Sequence, residues 1–424
     1  MKKNSQLCIE VWADWSHLAN AALVGRLYAT PSRGMEIFSF EYDVHWLRGQ
    51  AQKLDPSLGL FRGQQYSSDE KGNFGIFLDS SPDRWGRMLM HRREAQLARE
   101  ERRKERTLLE SDYLLGVFDG HRMGALRFRT RSDGPFLDNN TEFASPPWTS
   151  LRELESASLE LEKEGAEKNK NYAQWLRLLI APGGSLGGAR PKASVLDREG
   201  GLWIAKFPSN DDLYDVGVWE ALIHKIATQC NIETSTTMTR KFKSKYHTFL
   251  TKRFDRTSHG KRIHFASAMT LLQRSDGEGA ADGASYLELA QFLIQYGAYV
   301  DRDLEQLWRR IVFFICVSNT DDHLRNHGFL LRKTGWELAP AYDMNPVETL
   351  HGLKLNISET DNAQSLELAM EVTPYFRIKP KKAKIIIREM IAQVKKWRMI
   401  ASEMGISLRE QNRKAGAFSI AERE

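Results

Sequence analysis

Only three cysteines, Cys8, Cys230 and Cys316, occur in this 424-residue sequence, and no Cys-x-x-Cys or Cys/His cluster accompanies them. Cysteines this few and this scattered exclude a disulfide framework and a structural zinc site. Long hydrophobic runs are missing too. The longest, Ile311–Val317, is far short of the ~20 residues needed to cross a bilayer. The opening Met-Lys-Lys-Asn-Ser-Gln leads into alternating strand-like residues rather than an apolar signal segment. A cytoplasmic protein with no membrane partner is expected. Neither an internal repeat nor a low-complexity tract is present. What remains is an ordinary globular composition, 41% hydrophobic and 27% charged. The length exceeds a single core, so two or three domains are expected.

The net charge of +6 favours anionic partners such as ATP or nucleic acid, and it says nothing about fold. Much of the excess is local: Tyr375–Arg398 holds nine Lys/Arg against one acid, Glu389. A solvated helix face accounts for this run, with a phosphate-contacting surface as the competing account.

Short runs of alternating apolar and polar residues fill the first 130 positions, as in Leu7–Trp12 and Met35–Phe40, which predicts half-buried antiparallel strands. A helical period covers Arg84–Leu109, although its like-charged pairs, such as Arg99 with Arg103, need tertiary support. The turn- and proline-rich stretch Arg131–Pro147 reads as a domain boundary. A Ser-capped helix is expected from Ser150 to Lys168, then a Gly-rich loop and short strands to Phe254, then helices. The layout is α+β, with domains expected at 1–135, 148–255 and 256–424.

Four segments fit one kind of chemistry. The first, Ala181–Lys192, contains Gly183, Gly184, Gly187 and Gly188, which let backbone amides approach a bulky anion. No Gly-Lys-Ser/Thr follows, so a Walker A loop is excluded; a flexible turn explains this segment equally well on its own. Second, the apolar run Leu202–Ala205 ends in Lys206, much like the kinase strand whose lysine holds the α- and β-phosphates and pairs with a helical glutamate. Glu220, in the helical stretch Val216–Ala227, is the candidate partner; a solvated lysine at a strand end is the ordinary alternative. Third, Asp321 and Asn326 have the Asp-x-x-x-x-Asn spacing of the kinase catalytic loop, directly after an apolar helix. The aspartate is the candidate proton acceptor and the asparagine a metal ligand. Polar residues clustered after so apolar a segment are costly unless paired or used. Fourth, Asp343 follows a strand-like run and Tyr342. With Asn326 it supplies the hard oxygens that suit Mg²⁺ bridging nucleotide phosphates. Loop, lysine, glutamate, Asp-x-x-x-x-Asn and metal aspartate stand in the order of a bilobal kinase.

Taken together, Ser185–Lys192, Thr320–His323 with Asn326, and Tyr342–Met344 resemble the HipA kinase-toxin family. Lys252–Arg256, Asp83–Arg87 and Gly124–Phe128 extend the likeness over nearly the whole chain. The resemblance implies a bilobal protein-kinase-like fold: a β-rich amino-terminal subdomain, a β-rich lobe and an all-helical carboxy-terminal lobe. It implies a serine/threonine kinase toxin restrained by a helix-turn-helix, HipB-like antitoxin, with DNA met only through that antitoxin. A substrate such as an aminoacyl-tRNA synthetase is implied as well. Carried over, Asp321 is the base, Asn326 and Asp343 bind Mg²⁺, and Gly187, Gly188, Ala189, Lys192 and Lys206 hold ATP. Lys252 and Phe254 belong to the hinge that meets adenine. Ser185, or else Ser194, would be an inhibitory autophosphorylation site.

Asp322 is a departure, because its carboxylate stands beside Asp321 and competes for the base role; only Asp321 keeps the spacing to Asn326. His323 and Arg325 read as loop scaffolding, and His327 has no assigned role. Two other functions stay open. Aminoglycoside-type kinases share the Asp-x-x-x-x-Asn loop but usually place His two residues earlier, where this chain has Asn319. A catalytically idle corepressor tethered to DNA through an antitoxin would instead depend on the basic run.

Overall fold

The computed structural model describes residues 6–49, 52–68, 72–140, 146–183, 188, 190–348 and 352–424. The chain forms two compact units. One comprises Met1–Asp211, Phe242–Ser244 and Asp255–Ala266; the other comprises Asp212–Lys241, Lys245–Phe254 and Ser267–Glu424.

In the first unit the alternating segments pair as expected. Five antiparallel strands lie in the order Gln65–Tyr66, Met35–Tyr42, Ala22–Ser32, Leu7–Ala13, Leu126–Arg129. Ile9, Val11, Val24, Leu27, Phe38, Phe40 and Phe128 are fully buried, the period-2 burial of a sheet with one face on a core. The charged helix is shorter than its periodicity predicts: it spans Arg84–Glu100, and Arg103 folds back to pair with Glu94 at 2.5 Å. The helix expected at 150–168 stops short of its predicted end. Leu151–Leu161 is followed by a break at Gly165 (φ +73°), then by Tyr172–Gly183. Beyond it, Lys192–Leu196 and Leu202–Lys206 form an antiparallel hairpin.

Two family-like segments meet within this unit. The buried carboxylate of Asp255 accepts the Gly124 amide at 2.8 Å and pairs with Arg256 at 2.6 Å. Arg256 in turn donates to the carbonyls of Gly124 and Arg122.

The second unit is mostly helical around Val300–Val317, whose Leu304, Leu307, Trp308, Ile311 and Ile315 are fully buried. Trp308 donates to the Ala369 carbonyl at 2.8 Å, which satisfies its indole inside the core. Trp397 stacks on Phe418 with ring centroids 4.2 Å apart. The region 256–424 is nevertheless not all-helical. Gly328–Arg332 and Gly335–Leu338 form an antiparallel hairpin. Its first strand, Gly-Phe-Leu-Leu-Arg, is buried almost throughout, so the alternation that reveals a half-exposed strand is missing. Thr237–Lys241 pairs with His247–Lys252 as a second hairpin of this unit.

Candidate functional site

The Val300–Val317 helix ends at Ser318, which adopts a left-handed backbone (φ +48°) and turns the chain sharply into the polar loop. That loop separates the neighbouring carboxylates by environment. Asp321 is exposed, whereas Asp322 is 1% exposed. Asp322 accepts the Tyr286 hydroxyl at 2.7 Å and the His327 ring nitrogen at 2.6 Å. Its Oδ2 is committed to internal donors, while Asp321 is open to solvent.

Asn326 is 7% exposed and donates its side-chain N–H to the Asp321 carbonyl at 3.1 Å. This bond fixes the amide so that its oxygen is the atom left for a cation. Arg325 reaches Asp276 at 3.4 Å.

Asp343 lies on a neighbouring segment with a left-handed backbone (φ +58°), a conformation uncommon outside glycine and more accessible to Asp and Asn than to most residues. Two hydrogen bonds join this segment to the polar loop. The Asn345 amide donates to Asn319 Oδ1 at 3.1 Å, and the Val347 amide to the Ser318 carbonyl at 3.0 Å. A third link runs from the Tyr342 hydroxyl to the Arg325 carbonyl at 2.8 Å. Phe254, from the expected hinge, packs its ring 5.5 Å from that of Tyr342. Lys252 is exposed at the end of its strand, with its amide bonded to the Thr236 carbonyl. The second unit thus brings together the segments of Phe254, Asp321, Asn326 and Asp343. Asn319 is the residue that sequence reasoning undervalued: it was weighed only as a missing histidine, yet it fastens the two loops.

The remaining expected residues belong elsewhere. Lys206 ends its strand in the first unit, directly across the hairpin from Lys192. Directly opposed residues share a face of the sheet, where like charges repel. Lys192 is 4% exposed. Its ammonium lies against Gly188, so that a Cβ added at that position (φ +90°) would stand 2.9 Å from it. Gly188 is held by the start of the Arg84–Glu100 helix: its amide donates to the Asp83 carboxylate, and its carbonyl accepts the Trp85 amide at 3.3 Å. Trp85 also donates its indole N–H to the Lys192 carbonyl at 3.0 Å. The segment Asp83–Arg87, noted for family likeness alone, is therefore the support of Gly188 and Lys192.

Ser185, Gly187 and Ala189 lie outside the described residues. Ser194 is fully buried in its strand, a position closed to phosphoryl transfer while the strand is intact. Glu220 is 2% exposed on the Val216–Gln229 helix of the second unit. Among the described residues no helix is long and apolar enough to cross a membrane, and no group of three or more His, Cys, Asp or Glu side chains is arranged to hold a metal. A cation here would depend on the mixed pair of an amide oxygen and one carboxylate, completed by ligands from a substrate.

Comparison with known proteins places these residues in context. The family model of the HipA-like C-terminal domain matches residues 184–398, a span that includes the polar loop, Asp343 and the lysine hairpin. A Haemophilus influenzae protein provisionally named a kinase is 31% identical over 129 residues. That match takes in 27% of this chain, and the chain covers 38% of the relative's length. Among solved structures, the HipA of Shewanella oneidensis MR-1, determined in a toxin-antitoxin complex with HipB and operator DNA, superposes with a TM-score of 0.63. The alignment covers 98% of this chain and 97% of that one at 16% identity, a likeness of fold. The Helicobacter pylori proinflammatory kinase CtkA aligns at a TM-score of only 0.38 and 14% identity, over 56% of this chain and 93% of its own. That is too low to bear on the reading.

Proposed function

The chain belongs to the HipA-like family, and from that premise we propose that it is an ATP- and Mg²⁺-dependent serine/threonine protein kinase. Its expected role is that of a toxin restrained by a helix-turn-helix antitoxin. The observation that carries this reading is the fastening of the Asp343 segment to the Asp321–Asn326 loop through Asn345 to Asn319 and Val347 to Ser318. A base and two metal-binding side chains then move as one rigid group.

Asp321, exposed and ahead of the anchored loop, accepts the proton of the attacking serine or threonine hydroxyl. Asn326 and Asp343 hold Mg²⁺, which neutralises phosphate charge when bound. Lys206 and Lys192, cations opposed on one sheet face, hold the phosphates through charge-assisted contacts. Phe254 stands beside Tyr342 and offers an aromatic edge to adenine. Positioning and electrostatics supply most of the rate, and the base about 10²–10⁴-fold. A translation component such as an aminoacyl-tRNA synthetase is the proposed substrate class. Phosphorylation of Ser185 is the proposed off-switch, since a dianion in the Gly-rich loop competes with ATP for the same cations.

The test is incubation with γ-labelled ATP and a cell lysate. Label on protein serine or threonine supports the reading. Label on a free aminoglycoside moves the chain to the small-molecule kinases, and no transfer at all refutes phosphoryl transfer.

A further inference from the structure

Asp322 is buried one residue after the proposed base. Both of its observed hydrogen bonds converge on the same oxygen, Oδ2: the Tyr286 hydroxyl at 2.7 Å and His327 Nε2 at 2.6 Å. A carboxylate only accepts, so Nε2 carries the ring proton. Tyr286 is fully buried in the first turn of the Tyr286–Tyr296 helix, whose start is fixed by the reciprocal Ser285–Glu288 capping box. His327 is 1% exposed, and its ring packs edge-on to that of Tyr286 with centroids 5.7 Å apart.

The spacing gives these contacts a consequence. Residue 322 follows the base Asp321, and residue 327 follows the metal-binding Asn326. One carboxylate therefore grips the loop at both ends of the Asp-x-x-x-x-Asn span and ties it to a separate helix. Burial and the negative charge of Asp322 push the Tyr286 phenol well above its usual range, which keeps it a donor at all physiological pH. Arg310, 1% exposed and bonded to the Ala339 carbonyl at 2.6 Å, is the nearby buried cation. Burial pushes it down to about 10, and the charge of Asp322 is the strongest influence opposing that shift.

We propose that Asp322, gripped by Tyr286 and His327, is a positioning residue that sets the distance between Asp321 and Asn326 and never acts as a base itself. The catalytic consequence rests on the kinase reading; the structural one does not.

The experiment compares wild type with Tyr286→Phe, His327→Leu and His327→Gln in the full chain. Each is read by steady-state kinetics and by hydrogen exchange across residues 319–328. Loss of one grip on the loop lowers kcat by about 10²-fold in the Phe and Leu variants, the scale of a 1 Å misplacement. KM for ATP stays unchanged. Exchange of the loop amides rises roughly three- to tenfold, the equivalent of one net hydrogen bond, while the rest of the chain keeps its protection. His327→Gln, which restores an N–H at a similar reach, recovers most of both signals. Wild-type kcat and loop exchange in both Tyr286→Phe and His327→Leu overturn the proposal. So does a uniform rise in exchange, which marks these residues as ordinary core. A wild-type chain without phosphotransfer refutes the kinase reading, and the exchange comparison still decides the grip.

Discussion

Asp321 and Asp322 are chemically identical neighbours with opposite surroundings, one in solvent and the other bonded to Tyr286 and His327. Spacing to Asn326 singled out the first. Nothing in one dimension announced that the second would be sealed, because its partners lie 36 and 5 residues away. The same holds for His264, which is 2% exposed and stacked on Trp15 with centroids 5.3 Å apart. Burial, helped by the nearby His17, pushes its imidazole down to about 3. The ring is neutral in the folded chain down to that pH, whereas the unfolded chain protonates it below about 6.5. The unfolded state thus binds more protons as pH falls, and stability drops by up to about 1.4 kcal/mol per pH unit between about 6.5 and 3. Urea melts at pH 6.5 and pH 5 test this. His264→Phe flattens the pH dependence by that amount, and an unchanged slope removes His264 as its source.

Helices and strands were readable where their periodicity is strong. Leu202–Lys206 and the end of the apolar helix at Val317 fall where the sequence places them. The hairpin at Gly328–Leu338 and the helix Tyr172–Gly183 were missed. The first strand of that hairpin, Gly328–Arg332, lacks alternation because both of its faces are covered, and the Tyr172–Gly183 helix was hidden behind the charged segment that precedes it. Pairing between elements was beyond reach, above all the docking of the Arg84–Glu100 helix start onto Gly188 and Lys192. That docking makes a prediction at the level of elements. Trp85→Phe keeps the aromatic bulk but strands the Lys192 carbonyl without its indole donor, at about 1–3 kcal/mol for a buried unpaired group. KM for ATP rises several-fold while kcat at saturation is preserved. A fall in kcat with KM unchanged would detach this support from nucleotide binding.

Charge and site chemistry are distributed over the whole molecule. The basic run proves to be the outer face of the Pro380–Val394 helix and its flanks: Lys379, Lys381, Lys384, Arg388, Lys395 and Lys396 are exposed. Lys382 and Arg377 pair with Glu305 and Asp301. Lys206 and Lys192 lie in one unit, and Asp321, Asn326 and Asp343 in the other. Lys206→Ala is expected to weaken ATP binding about ten- to hundredfold, the loss of a charge-assisted contact; calorimetric titration with a non-hydrolysable ATP analogue reads it. Affinity equal to wild type would return Lys206 to the role of a solvated strand-end lysine.

The most direct measurement is phosphotransfer from γ-labelled ATP by Asp321→Asn beside wild type, with nucleotide affinity measured on the same samples. Transfer that vanishes while ATP and Mg²⁺ still bind is the expected result. Full transfer by the Asn variant contradicts the assignment of Asp321 as the base and, with it, the kinase loop on which the functional reading stands.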